Sequence, residues 1–255
     1  MSDFTLETAG LAIAVPGRAL VSNFDFTIRG GEFCALLGGN GAGKSLLLRT
    51  LAGLRGPDAG AVRMQGTPID ALPRRAIART LGFLPQDPDA APQGILRESV
   101  LLGRFAHLAM LEAPLAADHE RVAAALAHVG LAGLAERELS TLSGGEQRRA
   151  AIARLLVQAP SIYLLDEPTN HLDPAQQIAI LERLRALARA GSAVIASLHD
   201  PNLALRFADR VCLLAGNGTV EQVAQDALDV ARLSRLYGME FAEGRIGGHR
   251  IVSPI

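Results

Sequence analysis

Three short runs of the chain carry almost no polar position: Phe33-Cys34-Ala35-Leu36-Leu37, Ser161-Ile162-Tyr163-Leu164-Leu165 and Ala193-Val194-Ile195-Ala196-Ser197-Leu198. Continuous rather than alternating apolar strands, separated by helical stretches, predict a mostly parallel sheet covered on both faces. Ahead of them, residues 4–30 alternate loosely, with Leu11, Ile13 and Val15, then Phe24, Phe26 and Ile28 apolar. Turn signals at Pro16-Gly17 and Gly30-Gly31 make this a short antiparallel β layer. A helix is expected over 46–54, ended by Gly56-Pro57, then a hairpin strand over 60–66 and a short helix over 74–79. A strand at Leu81-Gly82-Phe83-Leu84 runs into Pro85-Gln86-Asp87-Pro88.

From about residue 88 to 158 the strand runs disappear and an alanine-rich helical pattern replaces them. Val122, Leu126 and Val129 fall on one face of a helix over 119–129, with loops at 88–92 and 112–117. Ser143 is a natural N-cap for a helix over 148–157. Asp173-Pro174 and Asp200-Pro201 each open a later helix with an acidic cap and a proline at the first position. The hairpin turn Gly216-Asn217-Gly218, a short helix over 229–237 and a weak terminal hairpin close the chain. The expected architecture is an α/β core of about 1–87 and 159–255, with a helical insert of about 88–158.

Composition removes several alternatives. The 255 residues suffice for a substantial core, and 49% hydrophobic with 20% charged residues is ordinary for a globular protein. A formal net charge of −1 argues against nucleic acid as an electrostatic partner. No apolar run approaches the roughly 20 residues that span a bilayer, and Met1-Ser2-Asp3-Phe4 shows no signal peptide. Cys34 and Cys212 are read as two buried, reduced thiols in a cytoplasmic protein.

The candidate chemistry begins at Gly38-Gly39-Asn40-Gly41-Ala42-Gly43-Lys44-Ser45, between an apolar strand and a helix. Residues and context both match the phosphate-binding loop G-x-x-x-x-G-K-[ST], so the chain is expected to bind a nucleoside triphosphate. Glycines let backbone N–H groups turn toward phosphate oxygens, and the helix N-terminus adds a field favourable to anions. Lys44 can neutralise phosphate charge and the Ser45 hydroxyl can ligate Mg²⁺. Asp166-Glu167 ends a buried strand, where α/β sheets present ligand groups. Asp166 is placed to hold the Mg²⁺, directly or through water, and Glu167 to act as general base on the attacking water. The bland reading, a turn capped by Asp-Glu, loses force beside the phosphate loop. Gln86 could touch Mg²⁺ or the attacking water, and His199 could hydrogen-bond the γ-phosphate; alone, each is a commonplace surface or structural residue.

Leu142-Ser143-Gly144-Gly145-Glu146-Gln147 opens a long helix and makes a second anion-binding end. One nucleotide does not need two such ends. A head-to-tail pair uses both, each copy's second end covering the nucleotide held by the other's phosphate loop.

These pieces, in this order, resemble the ATP-binding subunit of ABC transporters across essentially the whole chain. Walker A resembles 38–45, the Q-loop Gln86, the signature Leu142 to Gln147, and Walker B 162–166 with Glu167 as catalytic carboxylate. The D-loop resembles His171-Leu172-Asp173 and the switch histidine His199. The resemblance implies one RecA-like P-loop domain over 1–255 that binds and hydrolyses ATP with Mg²⁺ as a homodimer. Its nucleotide contacts would run from Gly38 to Leu46 and, across the dimer, through Ser143, Gly144, Gly145, Gln147 and Asp173. It implies a peripheral place on the cytoplasmic face of the inner or plasma membrane, under a permease served indirectly by a substrate-binding protein, with no nucleic acid partner.

Leu102-Gly103-Arg104 with His107, the run 199–204, Ala208-Asp209-Arg210 and Leu236-Tyr237-Gly238 are further similar to importer ATPases for iron-siderophores, haem and cobalamin. The alternatives are the ATPase of an exporter or lipid-handling system, or a soluble non-transport cassette. Three positions depart from the family pattern: Val15 stands where an aromatic residue stacks on adenine, Gly39 for a common Pro and Leu46 for a common Thr.

Overall fold

The computed structural model describes residues 5–86, 94–109 and 112–255. The loop expected over 88–92, Asp87 and the first four residues lie outside the described residues.

The N-terminal layer is an antiparallel sheet. Strands β1 (Thr5–Val15) and β2 (Arg18–Arg29) form a hairpin, and β1 pairs on its other edge with β4 (Ala59–Met64), which pairs with β5 (Thr67–Pro68). Behind it stands a six-stranded sheet in the order β10-β9-β3-β8-β7-β6. Strands β3 (Phe33–Leu37), β6 (Leu81–Leu84), β7 (Ile162–Leu165), β8 (Ala193–Ser197) and β9 (Arg210–Leu214) run parallel; β10 (Val220–Ala224) returns antiparallel on the edge.

The continuous apolar runs have a simple cause. Alternate residues of a strand point to opposite faces, and both faces of the central strands are packed. Phe33, Ala35 and Leu37 join the core formed with α5 (Gly144–Gln158), α6 (Pro174–Arg189) and α7 (Pro201–Phe207). Cys34 and Leu36 join a second core made with the antiparallel layer and α1 (Lys44–Leu51). The two thiols meet there, Cys34 Sγ lying 3.6 Å from Cys212 Sγ, both free and buried.

Helix α1 is shorter than the sequence suggests. It stops at Leu51 rather than running to Leu54, because Gly53 takes φ +67. Gly53 N then donates to Thr50 O (3.0 Å) and Leu54 N to Arg49 O (2.9 Å), the paired bonds of a glycine-terminated helix. Helix α2 (Arg74–Thr80) leads into β6. Between β6 and β7 come α3 (Leu96–Leu101), α4 (Ala116–His128) and α5. Helix α4 begins two residues inside the stretch 112–117 expected as loop; Asp118 holds its start by accepting from Leu115 N at 3.0 Å. Helix α8 (Val230–Tyr237) and the hairpin β11 (Phe241–Ile246) with β12 (His249–Pro254) finish the chain. The hairpin is fastened to α7 by Asn202, whose amide exchanges two hydrogen bonds with the backbone of Val252.

Candidate active site

The loop between β3 and α1 closes over a cavity of about 560 Å³. Gly43 forms the N-cap of α1 at φ +103, a left-handed conformation that glycine adopts at little cost. A β-carbon there would also press on Leu20 Cβ at 3.1 Å. Lys44, 6% exposed, folds back across its own loop and donates to Gly38 O (2.7 Å) and Gly39 O (3.2 Å). Burial holds its ammonium below the usual lysine range, with the charges of Glu167 and Asp166 pulling the other way. A desolvated cation satisfied only by carbonyls is a ready partner for an anion.

The opposite wall comes from the ends of β7 and β8. Asp166, fully buried, accepts from the Ser197 hydroxyl at Oδ1 (2.7 Å), and the same hydroxyl accepts from Glu167 N (2.8 Å). Ser197 thus locks the two consecutive acidic residues to the neighbouring strand. Glu167 sits at φ +50, a strained backbone for a non-glycine residue. Its carboxylate is held at both oxygens: His199 Nε2 donates to Oε1 at 2.7 Å, and Asn170 Nδ2 donates to Oε2. Buried at Glu167 and half-exposed at His199, the pair spans from protein interior to cavity.

Gln86 enters the cavity from the end of β6, while Val15, Arg18 and Leu20 close its far side from the β1–β2 hairpin. Arg18 Nη2 donates to Gly41 O at 2.5 Å, tying that hairpin to the phosphate-binding loop. Among the sequence candidates, Asn40, Gly41, Ala42, Gly43, Lys44, Ser45, Leu46, Gln86, Glu167 and His199 line this one cavity.

Ser143, Gly144, Gly145, Gln147 and Asp173 do not line it. Ser143 caps α5, exchanging hydrogen bonds with Glu146, whose carboxyl is held below its ordinary range first by the Ser143 backbone and then by its hydroxyl. Gln147 Nε2 donates to Leu142 O at 3.0 Å. Asp173 caps α6 through Gln176 N at 2.9 Å. Gly145 lies so near the His171 carbonyl that a β-carbon would sit 2.9 Å from it. Within one chain these residues form a separate cluster around the starts of α5 and α6.

Four residues of the site are absent from the sequence-based reading: Arg18, Ser197, Asn170 and Arg148, whose guanidinium donates to the Gln86 and Glu167 carbonyls. Ser197 could have been found by aligning the buried strands, because β7 and β8 pair Leu165 with Ala196 and so set Asp166 beside it. Asn170 follows Glu167 by one turn-length. Arg148 has no such signal.

The wider comparison agrees with this geometry. The sequence profile of the family described as ABC transporter matches residues 21–170. A hemin import ATP-binding protein, HmuV of Rhodopseudomonas palustris strain BisA53, is 40% identical over 250 residues, covering 93% of this chain and 89% of its own. An achromobactin transport ATP-binding protein, CbrD of Dickeya dadantii, is 38% identical over 90% of this chain and 86% of its own. An inward-facing transporter assigned to the metal-chelate type superposes with a TM-score of 0.84 at 26% identity, covering 99% of this chain and 98% of that one. The dimeric cassette MJ0796, in a post-hydrolysis state with ADP and Pi, gives a TM-score of 0.77 at 27% identity over 88% of this chain and 100% of that one. The chain belongs to the ABC transporter family, on the side of its ATP-binding cassettes.

Proposed function

We propose that this chain is the ATP-binding and ATP-hydrolysing subunit of a membrane importer for an iron-siderophore, haem or cobalamin. The observation that carries the reading is the meeting of Lys44, Ser45, Gln86, Glu167 and His199 in one cavity, in a chain whose relatives are named for hemin, achromobactin and cobalamin transport.

The amides of the loop Gly38–Ser45 and the Lys44 ammonium meet the phosphate charge. Ser45 and Gln86 line the cavity, and Asp166 is near enough for its charge to act on Lys44. Hydroxyl, amide oxygen and carboxylate are the hard donors that suit Mg²⁺. Bound by them, Mg²⁺ supplies neutralisation of the charge on the transferring phosphoryl group. Glu167 takes the proton of the attacking water, and His199 orients the carboxylate and reaches toward the terminal phosphate.

Ser143, Gly144, Gly145, Gln147 and Asp173 are offered to the nucleotide of a second copy in a head-to-tail pair, a role supported by their distance from this chain's own cavity. The surface near Gln86 to Arg104 carries the permease contact, because it joins the nucleotide site to the helical insert. A groove of about 470 Å³ between Phe83, Leu102, Phe105 and Arg74 supports that role, with Phe105 60% exposed at its edge. Arg104 and His107 brace the groove from below, through Asp118 and the Gln158 carbonyl. Among the described residues no helix is long and apolar enough to cross a membrane. As in the family it resembles, the chain sits peripherally on the cytoplasmic face. A substrate-binding protein acts on the far side of the permease.

Tagging the chain in its native membrane, solubilising gently and identifying its companions by mass spectrometry tests the reading. A many-helix permease encoded beside iron or tetrapyrrole uptake genes is expected. Ribosomes, DNA-repair proteins or no membrane partner would overturn the transport part.

A further inference from the structure

One turn beyond the Ser143–Gly145 end, α5 turns a single arginine inward. Arg148 is 4% exposed. Its Nη1 donates to Pro85 O (2.5 Å) and Gln86 O (3.0 Å); its Nη2 donates to Glu167 O (2.8 Å) and to Asp166 O. One planar fork therefore joins the ends of β6 and β7, the two strand ends that deliver Gln86 and the Asp166-Glu167 pair. These are also the points where the ladder stops, Asp166 N donating to Leu84 O (2.8 Å) as its last rung. Past it, the guanidinium is what sets the spacing of the two loops. Glu167 needs such a hold, since its φ of +50 persists only if its surroundings impose it.

We propose that Arg148 is a positioning residue for hydrolysis: it fixes Gln86 and Glu167 relative to one another, and it ties both to the signature end of its own helix. Ser143 and Arg148 lie five residues apart on a rigid helix, about 7.5 Å along its axis. A shift of the Ser143 end when it engages a partner copy's nucleotide is thereby delivered to this chain's own Glu167. The inference rests on the ATPase and head-to-tail readings above and adds the physical link between the two nucleotide sites. Arginine suits the task because its fixed fork serves several carbonyls at once, whereas an ammonium on a flexible stem does not hold them in one plane.

Arg148→Met and Arg148→Lys in the full chain test it, with nucleotide Kd, kcat, KM and melting temperature measured for each. The Met variant is expected to bind ATP within about twofold of the unsubstituted chain while kcat falls about 10²-fold, the scale of a roughly 1 Å misplacement. The Lys variant is expected to fall between the two. Should the Met variant not fold, the Lys variant decides, by the same split of lowered kcat and retained Kd. Unchanged kcat in a folded variant would overturn the inference alone, as would parallel losses of kcat, Kd and stability, or failure of both variants to fold. Absence of hydrolysis in the unsubstituted chain would overturn the ATPase reading and this inference with it.

Discussion

His199 Nε2 lies 2.7 Å from Glu167 Oε1, at the boundary between a buried carboxylate and an open cavity. With Asn170 on the other oxygen, Glu167 is aimed by two side chains and one strained backbone. Glu167→Gln keeps the shape but cannot take a proton, and its single amide oxygen accepts from only one of the two donors, His199 Nε2 or Asn170 Nδ2. Nucleotide affinity is expected to stay near that of the unsubstituted chain while steady-state phosphate release drops by about 10²–10⁴-fold. Hydrolysis at close to the original rate would remove Glu167 from the role of general base.

Lys44→Ala should separate binding from folding. The ammonium spends its hydrogen bonds on Gly38 O and Gly39 O, and burial already depresses it below the lysine range. Deleting it removes a charge that burial holds at a cost, so the variant, measured without nucleotide, is expected to melt no lower than the unsubstituted chain. A charge-assisted contact to phosphate is worth about 1.5–3 kcal/mol, and nucleotide affinity should weaken by about 10- to 100-fold. Titration with a fluorescent ATP analogue reads this directly; unchanged affinity would dissociate Lys44 from the phosphates.

What the sequence made legible follows from locality. The loop 38–45 carries its chemistry in eight consecutive residues, and the buried strands carry theirs in composition, since every position faces one core or the other. Arg148 was illegible for the opposite reason. It donates to main-chain carbonyls 62 and 63 residues away on one side and 18 and 19 on the other, and carbonyls leave no trace in a side-chain pattern. Ser197 differs: it accepts from the Glu167 N–H across 30 residues, a contact that the register of β7 and β8 makes legible once the strands are aligned. The end of α1 is not legible because nothing in the apolar pattern distinguishes an interior Gly53 from one whose left-handed φ turns the chain out. Ser143 was legible as a cap, but the ligand its helix end would serve is not brought to it within one chain.

Val15 lines the cavity beside Leu20, and it stands where the family pattern has an aromatic residue that stacks on adenine. A stacked aromatic ring adds about 0.5–1.5 kcal/mol beyond simple burial. Val15→Tyr is therefore expected to tighten ATP binding by about two- to tenfold, with a smaller gain for inorganic triphosphate, which has no base to stack. Equal effects on both ligands, measured by competition, would place the base elsewhere.

Asp118 links the turn that carries Arg104 to the start of α4, and its carboxyl is held below the ordinary value of 3.8, first by the Leu115 N–H and then by Arg104. A carboxyl depressed in the fold contributes stability that is fully present above its unfolded value and is lost as pH falls through its folded value. The urea midpoint of the unsubstituted chain should accordingly decline between about pH 5 and 2, with Asp118 among the causes. In Asp118→Asn, which cannot ionise, the midpoint should be lower at neutral pH and should decline less steeply over the same interval. Arg104 then loses its charged partner at every pH, so the two curves converge in acid. Parallel curves would show that the Arg104–Asp118 pair does not contribute to the acid response.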